Sequence, residues 1–323
     1  MAGPYLESAE RLRRQIASDD VEPYRKTRWP VGQSADVDAV VARAVAAGAD
    51  FLKMRTRPSP EVFVALGQAA QRAGLKFAAH VDGLAPQHVI DAGLDSIEHM
   101  LPDRSAGKTS LEQMYLWLAE TGGVITPTLV TWERSMLPVE DASRAIEKAA
   151  DQRLISAFLL SDWREQLGER RNNAGLLEYY RSMYEKNLQA FRAARSAGVR
   201  MLAGSDLTVL TARPGAALHA ELGLLVSELG LSELDALRAA TVWPSDWMER
   251  PDLGRLEPGA LADLVLLSGD PLEDISNTRK IRAVIAAGKL YDADALTLLK
   301  KAARDAPDVA VDDWGRPARS GRD

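Results

Sequence analysis

One unit, used repeatedly, restricts this sequence more than anything else in it: a stretch with helical apolar spacing, then a glycine, then a short apolar run. Ser34 can cap a helix whose Val37, Val40, Val41, Ala44 and Val45 share a face. Gly48 supplies its stop, and a strand over Ala49–Met54 follows, carrying Lys53. Ser59-Pro60 starts the second unit, Gly74 ends its helix, and Leu75–Ala79 leads to His80. The third opens at Pro86, stops at Ala92-Gly93, and runs through Leu94–Ile97 to His99. A fourth has Leu111–Glu120 as helix, Thr121-Gly122 as stop and Val124–Thr128 as strand. A fifth has Ala197-Gly198, then Val199–Ala203 leading into Gly204-Ser205-Asp206. Five such units in series predict a parallel α/β fold. In a parallel barrel the carboxyl ends of the strands lie on one face, where such folds place their chemistry.

Those ends carry Lys53, His80, His99 and Asp206, with a hydroxyl at Thr128. Taken singly, each has an ordinary reading: a hydrogen-bonded core histidine, a solvated or paired lysine, an aspartate in a turn. Together they carry more weight, because two of the four histidines of the chain close consecutive strands. The pair reads as two metal ligands, or as a ligand and a base. His88 falls in a crossover helix and reads as structural or solvated. His219 lies after the last unit, where substrate contact and plain surface exposure are equally open.

Outside the repeated units the text is more varied. Residues 1–33 read as a short apolar start, a charged helical segment around Glu7–Ile16, and a polar loop through Trp29-Pro30. Residues 131–196 form an insertion rich in Arg, Glu, Leu and Tyr, read as two long amphipathic helices. Helices are expected around Leu218–Leu229 and from Ser232 to Ala240. Two β-runs follow, Ala262–Leu267 and the stretch from Ile281, with a turn at Gly288. The expected organisation is a barrel part over 1–250, C-terminal β-strands over 251–295, and a polar tail over 304–323 in which Trp314 could dock.

Bulk properties exclude some classes of function. A net charge of −6 argues against nucleic acid and anionic membrane as partners. With no cysteine there is no disulfide, thiolate ligand or cysteine nucleophile. No run approaches the ~20 apolar residues of a membrane span. The amino terminus lacks the apolar core of a signal peptide, so a cytoplasmic location is expected, to be reopened if an upstream segment is missing.

GADFLKM, KFAAHV, LDSIEHM, GVITPTLV, AGVRMLAGSD, HAELGLL, LDALRAAT and LGRLEPGALADLVLLSGDPLEDI together resemble the amidohydrolase superfamily, in its imidazolonepropionase-like and Xaa-Pro dipeptidase-like branch. The resemblance covers most of residues 37–292. It implies a hydrolase of C–N bonds in a small amide, lactam or dipeptide, on a (β/α)8 barrel with closing strands from a β-sandwich. It implies Zn²⁺, as one or two divalent ions. Lys53, carboxylated, would be a ligand; His80 and His99 would be ligands; Asp206 would be ligand and proton shuttle. A zinc ion lowers the pKa of its water to near 7, and a neighbouring carboxylate can move that proton to the leaving nitrogen. A lysine supplies an oxygen ligand only as a carbamate.

The family's first strand carries His-x-His, and no His-x-His occurs in this sequence. The expectation is therefore an incomplete (β/α)8 TIM-type barrel, strands three to eight. Its exposed edges favour self-association into a homo-oligomer, and its C-terminal strands lose their sheet partners. One metal position keeps a near-complete set, Lys53, His80 and His99. Arg55, Arg57 and Arg213 could grip a carboxylate of a small-molecule substrate, and His219 could touch it. Two rivals stay open: a non-catalytic relative that binds through the exposed sheet edge, and a fragment without activity.

Overall fold

The structure is a computed structural model that describes residues 5–8, 28–32, 34–56, 58–102, 107–173, 175–207 and 209–306. It divides into two compact units. The first comprises residues 1–127, 187–202 and 246–249; the second comprises 128–186, 203–245 and 250–323.

The first unit holds a seven-stranded parallel sheet: β1 Tyr5–Ser8, β2 Arg28–Val31, β3 Phe51–Met54, β4 Lys76–Ala79, β5 Ser96–Glu98, β6 Val124–Thr126 and β7 Arg200–Met201. Their spatial order is β2-β1-β3-β4-β5-β6-β7. Helices α1 (Ser34–Ala46), α2 (Pro60–Arg72), α3 (Pro86–Asp91) and α4 (Leu111–Thr121) connect successive strands. From β3 to β6 the strands neighbour one another in chain order, as expected for consecutive crossover units. The Ser59 side chain accepts the Val62 amide and starts α2, and Gly122 ends α4 at φ 77°.

Side-chain alternation along these strands sets what each face does. Leu52, Met54, Phe77, Ala79, Ile97 and Ile125 are all buried on one face. Phe77 meets Phe63 of α2 with ring centroids 5.3 Å apart. Gly67 lies where α2 crosses the end of α3. A side chain there would strike the Ala92 carbonyl, so only glycine allows this approach. The other face carries Lys53, Ala78, Ser96 and Glu98, and the candidate site stands on it.

Two expectations for the amino-terminal region change. The Trp29-Pro30 stretch is strand β2, parallel to β1, not a loop. Buried Trp29 and Val31 hold it to the sheet, and as an end strand among the described residues it tolerates a proline. Glu7 and Ser8 belong to β1 instead of a helix, and the remainder of the proposed Glu7–Ile16 helix lies outside the described residues. The parallel strands thus number seven among the described residues, against the six expected.

In the second unit, α5 (Leu129–Ser135), α6 (Val139–Gln152), α7 (Ala157–Asn172) and the start of α8 (Gly175–Ser196) replace the two long helices expected over 131–196. Pro138 begins α6, Arg153 ends it at φ 49°, and the Ser156 hydroxyl accepts the Leu159 amide to begin α7. Trp163, Ile146, Leu167 and Leu210 form a core of this unit. Helices α9 (Ala216–Ser227), α10 (Glu233–Ala240) and α11 (Val242–Trp247) follow, the last ending in the first unit.

The C-terminal strands find partners among themselves. β8 (Leu264–Leu267), β9 (Ile281–Ala286) and β10 (Lys289–Tyr291) form an antiparallel sheet in the order β10-β9-β8. This corrects two expectations, that there are two strands and that they lack sheet partners. Ala287 and Gly288, at φ 49° and 74°, close the β9–β10 hairpin with the paired positive φ angles of a tight hairpin turn. A further helix not expected from the sequence, α12 (Ala293–Asp305), starts at Asp292, whose carboxylate accepts the Ala295 amide. The tail beyond residue 306, Trp314 included, lies outside the described residues. No helix among the described residues is long and apolar enough to cross a membrane.

Candidate active site

The sheet ladder continues one residue past β4 and β5, and this fixes the two histidines. The His80 amide donates to the Met54 carbonyl at 3.1 Å, and the His99 amide donates to the Thr126 carbonyl at 3.0 Å. His99 sits at φ 64°, a left-handed conformation that a residue with a side chain adopts at a cost. The two imidazoles meet edge to face, at 90° with centroids 4.7 Å apart. Both stand at the carboxyl end of the parallel strands, where the sequence placed them.

Lys53 projects from the same face, and its Nζ lies 2.9 Å from Glu98 Oε2. Sequence reasoning missed Glu98, although it sits beside His99 in the stretch LDSIEHM. Its other oxygen accepts the Ser96 hydroxyl at 2.6 Å and the Thr126 hydroxyl at 3.4 Å. Burial by itself would push the Glu98 carboxyl up. The Lys53 ammonium, His99 and the Ser96 hydrogen bond outweigh burial and hold it below the ordinary carboxylate range. A period-two reading of β5 with register was the signal that could have found it: Ser96 and Glu98 share the face that carries Lys53.

Neighbouring features support this face without joining it. The Asp95 carboxylate accepts the Phe77 amide at 2.8 Å, and burial raises its pKa. The Trp247 indole donates to the Asp95 carbonyl at 3.1 Å and meets Phe51 edge-on at 5.3 Å. His88 accepts the Ala85 amide through Nδ1 at 3.2 Å, a structural role. Arg55 follows β3, exposed, with its amide on the Leu6 carbonyl. Arg57 lies outside the described residues. A groove of about 580 Å³ between α4 and α8, lined by Leu111, Tyr115, Leu116 and Ala193, contains none of these residues.

The remaining expected site residues belong to the second unit. Asp206 is exposed at φ 37°, next to Ser205, whose carbonyl accepts the Thr131 hydroxyl at 3.0 Å. Arg213 is exposed and donates to Gln152 at 2.8 Å. His219 Nδ1 lies 3.0 Å from the Thr278 hydroxyl, which itself donates to the Ile275 carbonyl at 2.8 Å. With that hydroxyl proton already used, Nδ1 must be the donor, and Nε2 keeps its lone pair. Burial, with Arg279 nearby, lowers the His219 pKa and favours this neutral form.

Glu221, which no motif of the sequence singles out, is a buried carboxyl. Its Oε2 accepts the Val130 amide at 2.7 Å, so it caps α5 from another helix. Burial pushes its pKa up to about 8, against the opposing bonds from Val130 and Leu129 and with Glu133 adding to the rise.

The donor chemistry of His80 and His99 fits a divalent ion of the zinc type. No set of three or more His, Cys, Asp or Glu side chains among the described residues converges to hold a metal. Lys53 stands on this face within the same unit.

Three comparisons bear on the chain. Ochratoxinase from Aspergillus niger is 26% identical over 285 residues, which is 85% of this chain and 50% of that protein. The chain thus spans about half the length of the curated relative it matches. Among solved structures, the bottromycin amidohydrolase superposes with a TM-score of 0.68 at 21% identity, covering 97% of this chain and 69% of that one. A Xaa-Pro dipeptidase with methionine bound in its active site superposes with a TM-score of 0.60 at 24% identity, covering 90% and 66%. At such identities the structural likeness speaks for the fold alone. Membership rests on a different finding: the sequence profile of the Amidohydrolase family matches residues 41–291, most of the chain, and the protein belongs to that family.

Proposed function

We propose that the chain acts as a metal-dependent hydrolase of C–N bonds, on a small dipeptide or N-acyl amino acid. The observation that carries the reading is the edge-to-face pair His80 and His99 at the ends of adjacent parallel strands, with Lys53 rising from the same face. His80, His99 and Lys53, the last as its carbamate, would hold one divalent ion, Zn²⁺ by the nitrogen-rich donor set. When bound, such an ion polarises a carbonyl and makes water a nucleophile near neutral pH. The family profile supports the reaction class.

The chain's own residues supply the rest. Asp206, an exposed carboxylate after β7, accepts a proton from water and returns it to the leaving nitrogen. Arg55 and Arg213 offer forked donors for the substrate carboxylate. His219, neutral with Nε2 as acceptor, suits a substrate N–H. The seven parallel strands are read as an incomplete (β/α)8 barrel, and its end strands favour a homo-oligomer.

A panel of dipeptides and N-acyl amino acids, assayed after chelation and again after zinc return, tests the reading. Activity that appears only with metal, and that Asp206→Asn abolishes, supports it. Hydrolysis unaffected by chelation contradicts it. Arg213→Ala should raise KM for acidic-ended substrates more than for neutral amides.

A further inference from the structure

Residues 203–206 belong to no helix or strand. Hydrogen bonds from other elements of the second unit hold them. At one end the Ala203 amide donates to the Ala239 carbonyl of α10 at 2.9 Å. At the other the Thr131 hydroxyl of α5 donates to the Ser205 carbonyl at 3.0 Å. That carbonyl and the Asp206 amide form one planar peptide unit. Fixing the plane fixes the direction from which the Asp206 side chain leaves the backbone. Asp206 sits at φ 37°, a left-handed conformation that aspartate adopts at a cost and keeps only where its surroundings hold it.

Thr131 is itself held in place. Its amide donates to the Thr128 carbonyl at 3.0 Å in the first turn of α5. The Val130 amide beside it donates to Glu221 Oε2 at 2.7 Å. Glu221 stands on α9 and is wholly buried, and Val130 packs against Ala212 and Ala217, so neither partner can swing aside in a close-packed interior. The path runs from α9, through the head of α5, to the peptide bond before Asp206. We propose that Thr131, braced by Glu221, is a positioning residue for Asp206: its hydroxyl sets the peptide plane from which the carboxylate reaches the reacting water. The inference rests on the reading of Asp206 as the group that accepts a proton from that water. Thr131 contributes one neutral hydrogen bond to a carbonyl and acts through Asp206 alone.

Hydrogen exchange of the metal-free full chain, read by nuclear magnetic resonance, and kinetics of the zinc-returned protein on the dipeptide panel test this together. Thr131→Val removes the hydroxyl and keeps the branched shape. Exchange at the amides of residues 203–207 should quicken about fivefold, the loss of one hydrogen bond. Amides of β4, in the first unit, should keep their rates. The kcat should fall about tenfold or more with KM little changed, the mark of a misplaced group and not of lost substrate binding. Thr131→Ser, which restores the hydroxyl, should recover both readouts. Unchanged exchange in Thr131→Val, or an unchanged kcat where Asp206→Asn is inactive, overturns the inference and leaves Asp206 in its role. Faster exchange that extends equally to β4 also overturns it, because the hydroxyl would then only stabilise the fold. An unaltered chain without activity, or an active Asp206→Asn, overturns the reading of Asp206 itself, and exchange alone then decides whether Thr131 holds the segment. Should Thr131→Val fail to fold, Thr131→Ala must quicken the same amides, and no rise overturns the proposal.

Discussion

Lys53 on β3 and Glu98 on β5 meet at 2.9 Å across β4, diagonally: Lys53 pairs with Ala78, and Glu98 lies two residues past Ser96, the partner of Ala78 on the far side. The relationship makes Ala78 a sensitive position. Ala78→Leu overfills a buried site and blocks the bridge, and should cost about 1–3 kcal/mol in urea unfolding. The cost should shrink when Glu98→Gln is already present, because no ion pair is then left to break. Strict additivity of the two substitutions in a double-mutant cycle would contradict the bridging geometry.

The left-handed backbone of His99 separates the role of its ring from the strain of its conformation. His99→Ala and His99→Gly both remove the imidazole, but only glycine adopts φ 64° without penalty. The glycine variant should be the more stable of the two by about 1–2 kcal/mol in denaturant unfolding. Equal stabilities would mean that the backbone relaxes there.

Much of this region was legible in the text, and what was hidden is instructive. The Ala-Gly pairs before β4 and β5 marked where the strands begin, and the histidines that close them are where spacing put them. Glu98 was hidden because its meaning depends on register and on the small size of Ala78, neither of which one strand's own sequence contains. Trp29-Pro30 reads as a polar loop from the sequence alone. An end strand needs fewer donors, and burial of Trp29 and Val31 decides the matter. The insertion reads as two long helices in the text, whereas Pro138 and Ser156 act locally to begin separate helices.

Glu221 gives a pH dependence with a definite sign. Its folded-state pKa of about 8 lies above the ordinary glutamate value of 4.5. Between those values the unfolded chain has released the proton and the folded chain has kept it, so stability falls as pH rises through that window. Glu221→Gln, which can still accept the Val130 amide, should flatten this fall and be the more stable protein above pH ~8, by roughly 1–3 kcal/mol. Urea unfolding at several pH values from ~5 to ~9 checks it. A slope unchanged by the substitution would show that other groups set it.

Gly67 tests the packing that positions β5 and its histidine. Gly67→Ala drives a methyl into the Ala92 carbonyl. The helix end must retreat, at a cost of about 1–3 kcal/mol seen as a lowered Tm. Gly48→Ala is a useful contrast, since its added methyl meets no neighbour and only the positive φ of 69° resists it. A Gly67→Ala loss no larger than that of Gly48→Ala would remove close approach as the reason for this glycine.

The reading of this chain as a metal hydrolase depends on His80 and His99 holding an ion together. Zinc titration of the metal-free full chain by calorimetry, with the bound metal counted by elemental analysis, measures that directly. The account predicts one tightly bound zinc per chain, lost in both His80→Asn and His99→Asn. No stoichiometric uptake, or uptake that survives both substitutions, would contradict it.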